Sequence, residues 1–211
     1  MSLGGIALAA VALIAITNPL GAVPVFAEIT TGEGRRRRWR EAATVATAVA
    51  VILGTSVLAG APLLHLLGIS VDALRAAGGL VILLMGIEML GGSTSRLQGH
   101  HGGPDSGPTD ARDSLVVPLA MPLIAGPGAI ATAITLAARH HTVAGVGEVL
   151  LAVLIAALAV LAALAGAEVV TARLDRRGHA ILIRFLGLLL ASIGAQTMLE
   201  GATAVVRAAW G

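Results

Sequence analysis

The chain of 211 residues contains no cysteine, which excludes disulfides, thiolate metal sites and thiol redox chemistry. Lysine is also absent, and all 14 basic residues are arginine. Charge of either sign is scarce: Asp, Glu and Arg together make up 12% of the chain. There is no phosphate-binding glycine loop of the Walker type and no nucleophile elbow. Neither ATP-driven pumping by this chain alone nor enzymatic catalysis is expected. No basic region precedes the first apolar run, and no polar segment interrupts that run before Glu28. The run is expected to be a retained membrane span rather than a cleaved signal peptide.

What remains is apolar. Hydrophobic residues form 56% of the sequence, and the mean hydropathy is +0.91, far above a soluble domain. A spanning helix needs about 20 mainly apolar residues. Polar punctuation predicts six such spans near residues 3–29, 41–66, 72–92, 114–138, 143–172 and 180–207. The segment between the third and fourth is rich in Gly, Ser, His, Pro and Asp, and reads as a flexible loop over 93–113.

Arginine placement predicts orientation. Arg35, Arg36, Arg37, Arg38, Arg40, Arg96, Arg112, Arg173, Arg176 and Arg177 fall after spans one, three and five, whereas only Arg75, Arg139 and Arg207 lie near the opposite side. Positive residues favour the cytoplasm, so both termini are expected to face outward from a multi-pass protein of the inner membrane. A pI near 10.9 would otherwise suggest nucleic acid, but the net charge is only +2 and no nucleic-acid partner is expected. Trp39 and Trp210 stand at span ends, as aromatic anchors do.

Two proline pairs share one spacing. Pro19 with Pro24, and Pro122 with Pro127, interrupt otherwise apolar runs. Proline removes a backbone donor and clashes with the preceding turn, so each pair is expected to break its helix near the middle of the membrane. Placing Pro19 on Pro122 also places Pro24 on Pro127. Leu58-Ala59-Gly60-Ala61 then resembles Leu164-Ala165-Gly166-Ala167, and Gly79, Gly86 and Glu88 match Gly187, Gly194 and Gln196 at identical spacing. A repeat of three spans must insert upside down relative to its copy. The expected fold is therefore an all-α polytopic membrane protein of six transmembrane helices. It forms a 3+3 inverted-topology repeat, with residues 1–92 and 114–211 as the halves and the first and fourth helices broken.

This pattern points to a substrate site. A half-helix starting near Pro24 or Pro127 would present free backbone donors and a positive dipole end to an anion such as a carboxylate. Gly21, Gly126 and Gly128 would let the chain turn and a ligand approach. Thr17 and Asn18 can cap freed backbone groups or contact substrate. The expected substrate-binding set is Thr17, Asn18, Pro19, Gly21, Pro24, Pro122, Gly126, Pro127 and Gly128. Glu88 is an ionisable group inside a span, where coupling and snorkelling to the interface are both open; Gln196 is its neutral counterpart. Gly78, Gly79, Gly86, Gly187, Ala191 and Gly194 form small-residue faces suited to close helix packing. The pairs His100-His101 and His140-His141 lack further ligands at metal spacing, so no metal or cofactor is expected.

The run from Asn18 to Phe26, followed by Glu28-Ile29-Thr30-Thr31, resembles a signature near the start of MarC-family membrane proteins. Pro118 to Ile130 is similar to their second signature, and Arg75 to Gly79 through Gly86 to Leu90 fits their third span. The likeness runs from about residue 5 to 205. It implies kinship with the lysine-exporter superfamily, and with an archaeal relative regarded as a transporter of glycine and alanine. The expected function is secondary transport of small neutral amino acids or similar small zwitterions by alternating access, coupled to protons or sodium. A non-transporting membrane scaffold or assembly factor is the alternative. The oligomeric state is not legible.

Overall fold

The computed structural model describes residues 3–91, 124–139, 142–169 and 176–210. The segment 93–113, the beginning of the fourth predicted span with Pro122, and both histidine pairs lie outside them. Within the described residues the chain is helical, without strands. In order it forms α1 (Leu3–Thr17), α2 (Pro19–Ile29), α3 (Arg35–Leu66), α4 (Val71–Leu90), α5 (Pro127–Ala138), α6 (Val143–Ala165) and α7 (Arg176–Trp210). Helices α3, α4, α6 and α7 are each long and apolar enough to cross a membrane, and α1 with α2 makes a further span bent by 43°. Helix α5 is a shorter apolar helix of 12 residues.

Local signals set the boundaries. Ser70 caps α4, its hydroxyl accepting from the Ala73 N–H at 3.1 Å, and Thr142 caps α6 by accepting from Gly145 at the same distance. Each satisfies a first-turn donor that has no partner within its helix. The arginine cluster expected between the first two spans is already helical, since α3 starts at Arg35. Cations at a helix N-terminus oppose the helix dipole. Here Glu33 and Glu41 flank Arg37 at 3.2 and 4.0 Å, and Arg38 pairs at 2.8 Å with Glu168, just beyond α6.

The small residues decide the packing. Helix α5 sits among α1, α3, α4 and α6, with Gly128, Ala129, Ala131, Ala133, Ile134, Thr135 and Ala137 all buried; a helix buried on nearly every side is apolar all round. Gly60 of α3 admits Ile134, and Gly78 of α4 admits Ala131. On the other side of α4, Gly79 lies against the backbone of Met198 and Gly86 against that of Ala191. Helix α7 answers with Gly194 against Leu83 and Gly201 against Ala76. The pairing runs antiparallel and brings the two backbones into contact along most of α4. Leu8, Val51, Leu58, Leu84, Leu158 and Leu188 are exposed on the outside of the bundle, the surface a lipid environment covers.

Where a β-carbon would strike backbone, the neighbour cannot yield by rotating. Replacing Gly86 or Gly194 with leucine is expected to cost at least the 1–3 kcal/mol or so typical of overpacking. Gly147→Ala, which meets open space, is the control. Loss of monodisperse protein after heating, followed by size-exclusion chromatography, checks the difference.

Candidate functional site

The first break occurs at Asn18. It is the one non-glycine residue at positive φ among the described residues, with φ 42° and ψ 59°, a region that asparagine tolerates better than most side chains. Its Oδ1 accepts from the Gly21 N–H at 3.3 Å, and its Nδ2 donates to Met89 Sδ of α4 at 3.3 Å. One side chain thereby caps α2 and ties the break to α4. A β-carbon on Gly21 would overlap the Asn18 amide, so the cap needs glycine there. Thr17 is buried, and its hydroxyl donates to the Ile14 carbonyl at 3.2 Å.

The expected start of the second half-helix near Pro24 is corrected. Helix α2 begins at Pro19, the position where its missing donor is harmless. Pro24 lies inside α2, where its ring removes the bond to the Leu20 carbonyl. In the second motif the expectation matches the geometry: Gly126 is the extended cap and Pro127 the first helical residue of α5. Gly128 is buried against Ile82 and the Gly78 carbonyl, while Pro127 is exposed.

The break at Asn18 and the start of α5 therefore both rest on α4, at Met89 and at Ile82. These positions are about 10 Å apart in helix rise. Glu88 is half-buried and has an interaction partner. Gln196 is exposed, and its amide donates to Glu200 at 2.9 Å, away from the breaks.

A cavity of about 130 Å³ opens between α1, α4, α5 and α7. Ala12 and Ile16 of α1 line it together with Gly78 and Gly79 of α4. Two guanidinium groups, Arg75 and Arg139, share it with the hydroxyls of Thr132, Thr135 and Thr197. The three hydroxyls donate to carbonyls one turn earlier, at 2.8, 2.7 and 2.8 Å, which leaves their oxygens as acceptors. Arg75 pairs with Glu200 of α7 and has a side chain only 16% exposed. Sequence reading used Arg75 for topology and for the likeness to the MarC third span, and Arg139 for topology, placed neither in a site, and missed the threonines. The signal was there: Thr132, Thr135 and Arg139 follow helical spacing along one face of α5. A larger recess beside Arg35, Arg36, Trp39 and Arg40 is an open surface feature at the start of α3.

The sequence matches the model for MarC family integral membrane proteins over residues 3–206. The chain belongs to the MarC family. A UPF0056 membrane protein of Pyrococcus abyssi is 35% identical, the match covering 90% of each chain. The UPF0056 membrane protein YhcE of Escherichia coli is 32% identical over 90% of this chain and 88% of its own. YvbG of Bacillus subtilis, another UPF0056 membrane protein, is 32% identical over 87% of each. No solved structure matches at a significant level. This MarC protein is thus a multi-pass integral membrane protein.

The Asn18 cap is open to a direct test. Asn18→Ala removes both the cap, worth about 0.5–2 kcal/mol, and the tolerance of positive φ. Asn18→Gly keeps the conformation and is expected to lose less. A melting temperature lower for alanine than for glycine, measured in detergent, is the expected order.

Proposed function

We propose that this MarC protein is a secondary transporter of small neutral amino acids or similar small zwitterions across the inner membrane, working by alternating access. The observation that carries the reading is the cavity beside the broken α1–α2 span. At about 130 Å³ it holds roughly four water volumes of about 30 Å³ each, the scale of an amino acid with little side chain. Its cationic and acceptor groups together suit a zwitterion. The bent α1–α2 span, interrupted at Asn18, contributes Ala12 and Ile16 to the cavity lining, and interrupted helices of this kind are found in transporters.

The inverted 3+3 arrangement belongs to the same proposal. Helix α2 rests on α6 and α5 rests on α3, as crossed partners in two inverted halves would. The glycines matched between the halves, Gly79 with Gly187 and Gly86 with Gly194, all lie in the α4–α7 contact. Helix α4 packs on α5, but α7 makes no comparable contact with α1 or α2. That inequality leaves the cavity on the α1–α7 side, and its exchange between the halves would move access across the membrane. Both termini face outward in this reading, from the arginine distribution. Proton coupling through Glu88 and sodium held by unwound carbonyls are both compatible with it.

Purified protein in liposomes is expected to take up labelled alanine or glycine under an imposed proton or sodium gradient. Absence of flux with every small amino acid contradicts the reading and favours a scaffold role. Pro127→Ala restores a backbone donor at the α5 start, so it is expected to lower flux severalfold without lowering the melting temperature.

A further inference from the structure

Arg75 occupies an awkward place for a structural ion pair. It lies one turn inside the N-terminus of α4, where the helix dipole disfavours a cation. Arg139 also lines the cavity and repels it. Asp72 and Glu200 offset this, Asp72 from the first turn of α4 and Glu200 by direct pairing from α7. The ion pair is not needed to hold α4 to α7, because Gly201 already brings α7 against the Ala76 backbone beside it. It cannot serve as a gate between these helices for the same reason. Glu200 is also unevenly placed, 44% exposed against 16% for Arg75. Its other oxygen accepts from Gln196, so it keeps a partner if Arg75 is taken by something else.

We infer that the cavity is a carboxylate-accepting site in which a ligand carboxylate replaces Glu200 on Arg75. Glu200 acts as the resident surrogate for the ligand, neutralising Arg75 while the site is empty. Arg139, with no acidic partner among the described residues, adds a second positive charge at the same end. Below it, Thr135 and Thr132 follow on successive turns of α5, and Thr197 lines the same cavity from α7. Their donors are committed to backbone carbonyls, so they present only oxygen lone pairs inward. The ligand therefore lies with its carboxylate on the arginines and its ammonium toward the threonines. This separates the site from the half-helix termini at Gly126 and Asn18: Arg75, Ile82 and Met89 recur at intervals of about two turns along one face of α4, with the arginine end farthest from Asn18. The inference rests on the zwitterion reading for the choice of ligand, but not for the carboxylate site itself.

Binding and flux are measured separately. Labelled alanine bound to purified wild-type protein is expected to be displaced by unlabelled alanine and by propionate, and not by alaninamide, which lacks the carboxylate. Arg75→Gln is expected to weaken binding at least tenfold. Glu200→Gln is expected to tighten it severalfold by removing the internal competitor, an effect lost in the double variant. A purely structural ion pair predicts the opposite sign for Glu200→Gln, and that result overturns the inference. So does displacement by alaninamide as effective as by propionate, or wild-type protein that binds no carboxylate. Should Arg75→Gln fail to fold, the sign of the Glu200→Gln effect decides alone. Carboxylate binding without flux in liposomes would remove the transport proposal and leave the site standing. Flux whose KM is unchanged in both single variants would do the reverse.

Discussion

A chain in a bilayer has no water with which to satisfy broken backbone hydrogen bonds, so every interruption of a helix must be repaired by the protein itself. At Asn18 a single amide turns the chain through positive φ, caps α2 through Gly21 and reaches Met89 on α4. The break is therefore anchored, and its position relative to α4 is set by a side chain rather than by loop length. Pro19 follows at the first helical position, where the missing donor leaves nothing unpaired. Pro24, deeper in α2, adds a second missing bond without ending the helix.

Helix α4 organises the rest. One face receives α5 through Gly78, another receives α7 through Gly79 and Gly86, and Met89 meets the α1–α2 break. The contacts with α7 join backbone to backbone, which gives van der Waals packing a role that hydrophobic burial cannot fill in lipid. The arginine at the start of this helix, the isoleucine against Gly128 and the methionine against Asn18 lie on one stripe. That stripe links the cavity to the Asn18 break and to the start of α5.

Much of this is legible in the residues themselves. The membrane class followed from composition, the bent first span from Pro19 and Pro24, the cap from Asn18, and the helix-packing role of the glycines from their recurrence in two spans. Six spans were expected; the four long helices and the bent pair account for up to five, and α5 is a shorter apolar helix of 12 residues. The sequence misled at Pro24, because two nearby prolines give no rule for which one starts the helix; the capping side chain at position 18 decides it. The cavity was missed for a different reason. Arg75 and Arg139 each look interfacial when read along the chain, and only the packing of α4 against α5 and α7 brings them to one cavity, with Glu200 paired to Arg75. Gln196 likewise matched Glu88 by spacing but bonds to Glu200.

The proposed substrate site, the cavity between α1, α4, α5 and α7, must be reached by water from one side of the membrane. The native chain has no cysteine, so a single Thr132→Cys substitution can report on it with a membrane-impermeant thiol reagent. Labelling is expected from the side opposite the arginine-rich start of α3, and alanine is expected to slow it severalfold while alaninamide does not. A thiol at this position that is unreactive from both sides, or equally reactive with and without alanine, would contradict the account.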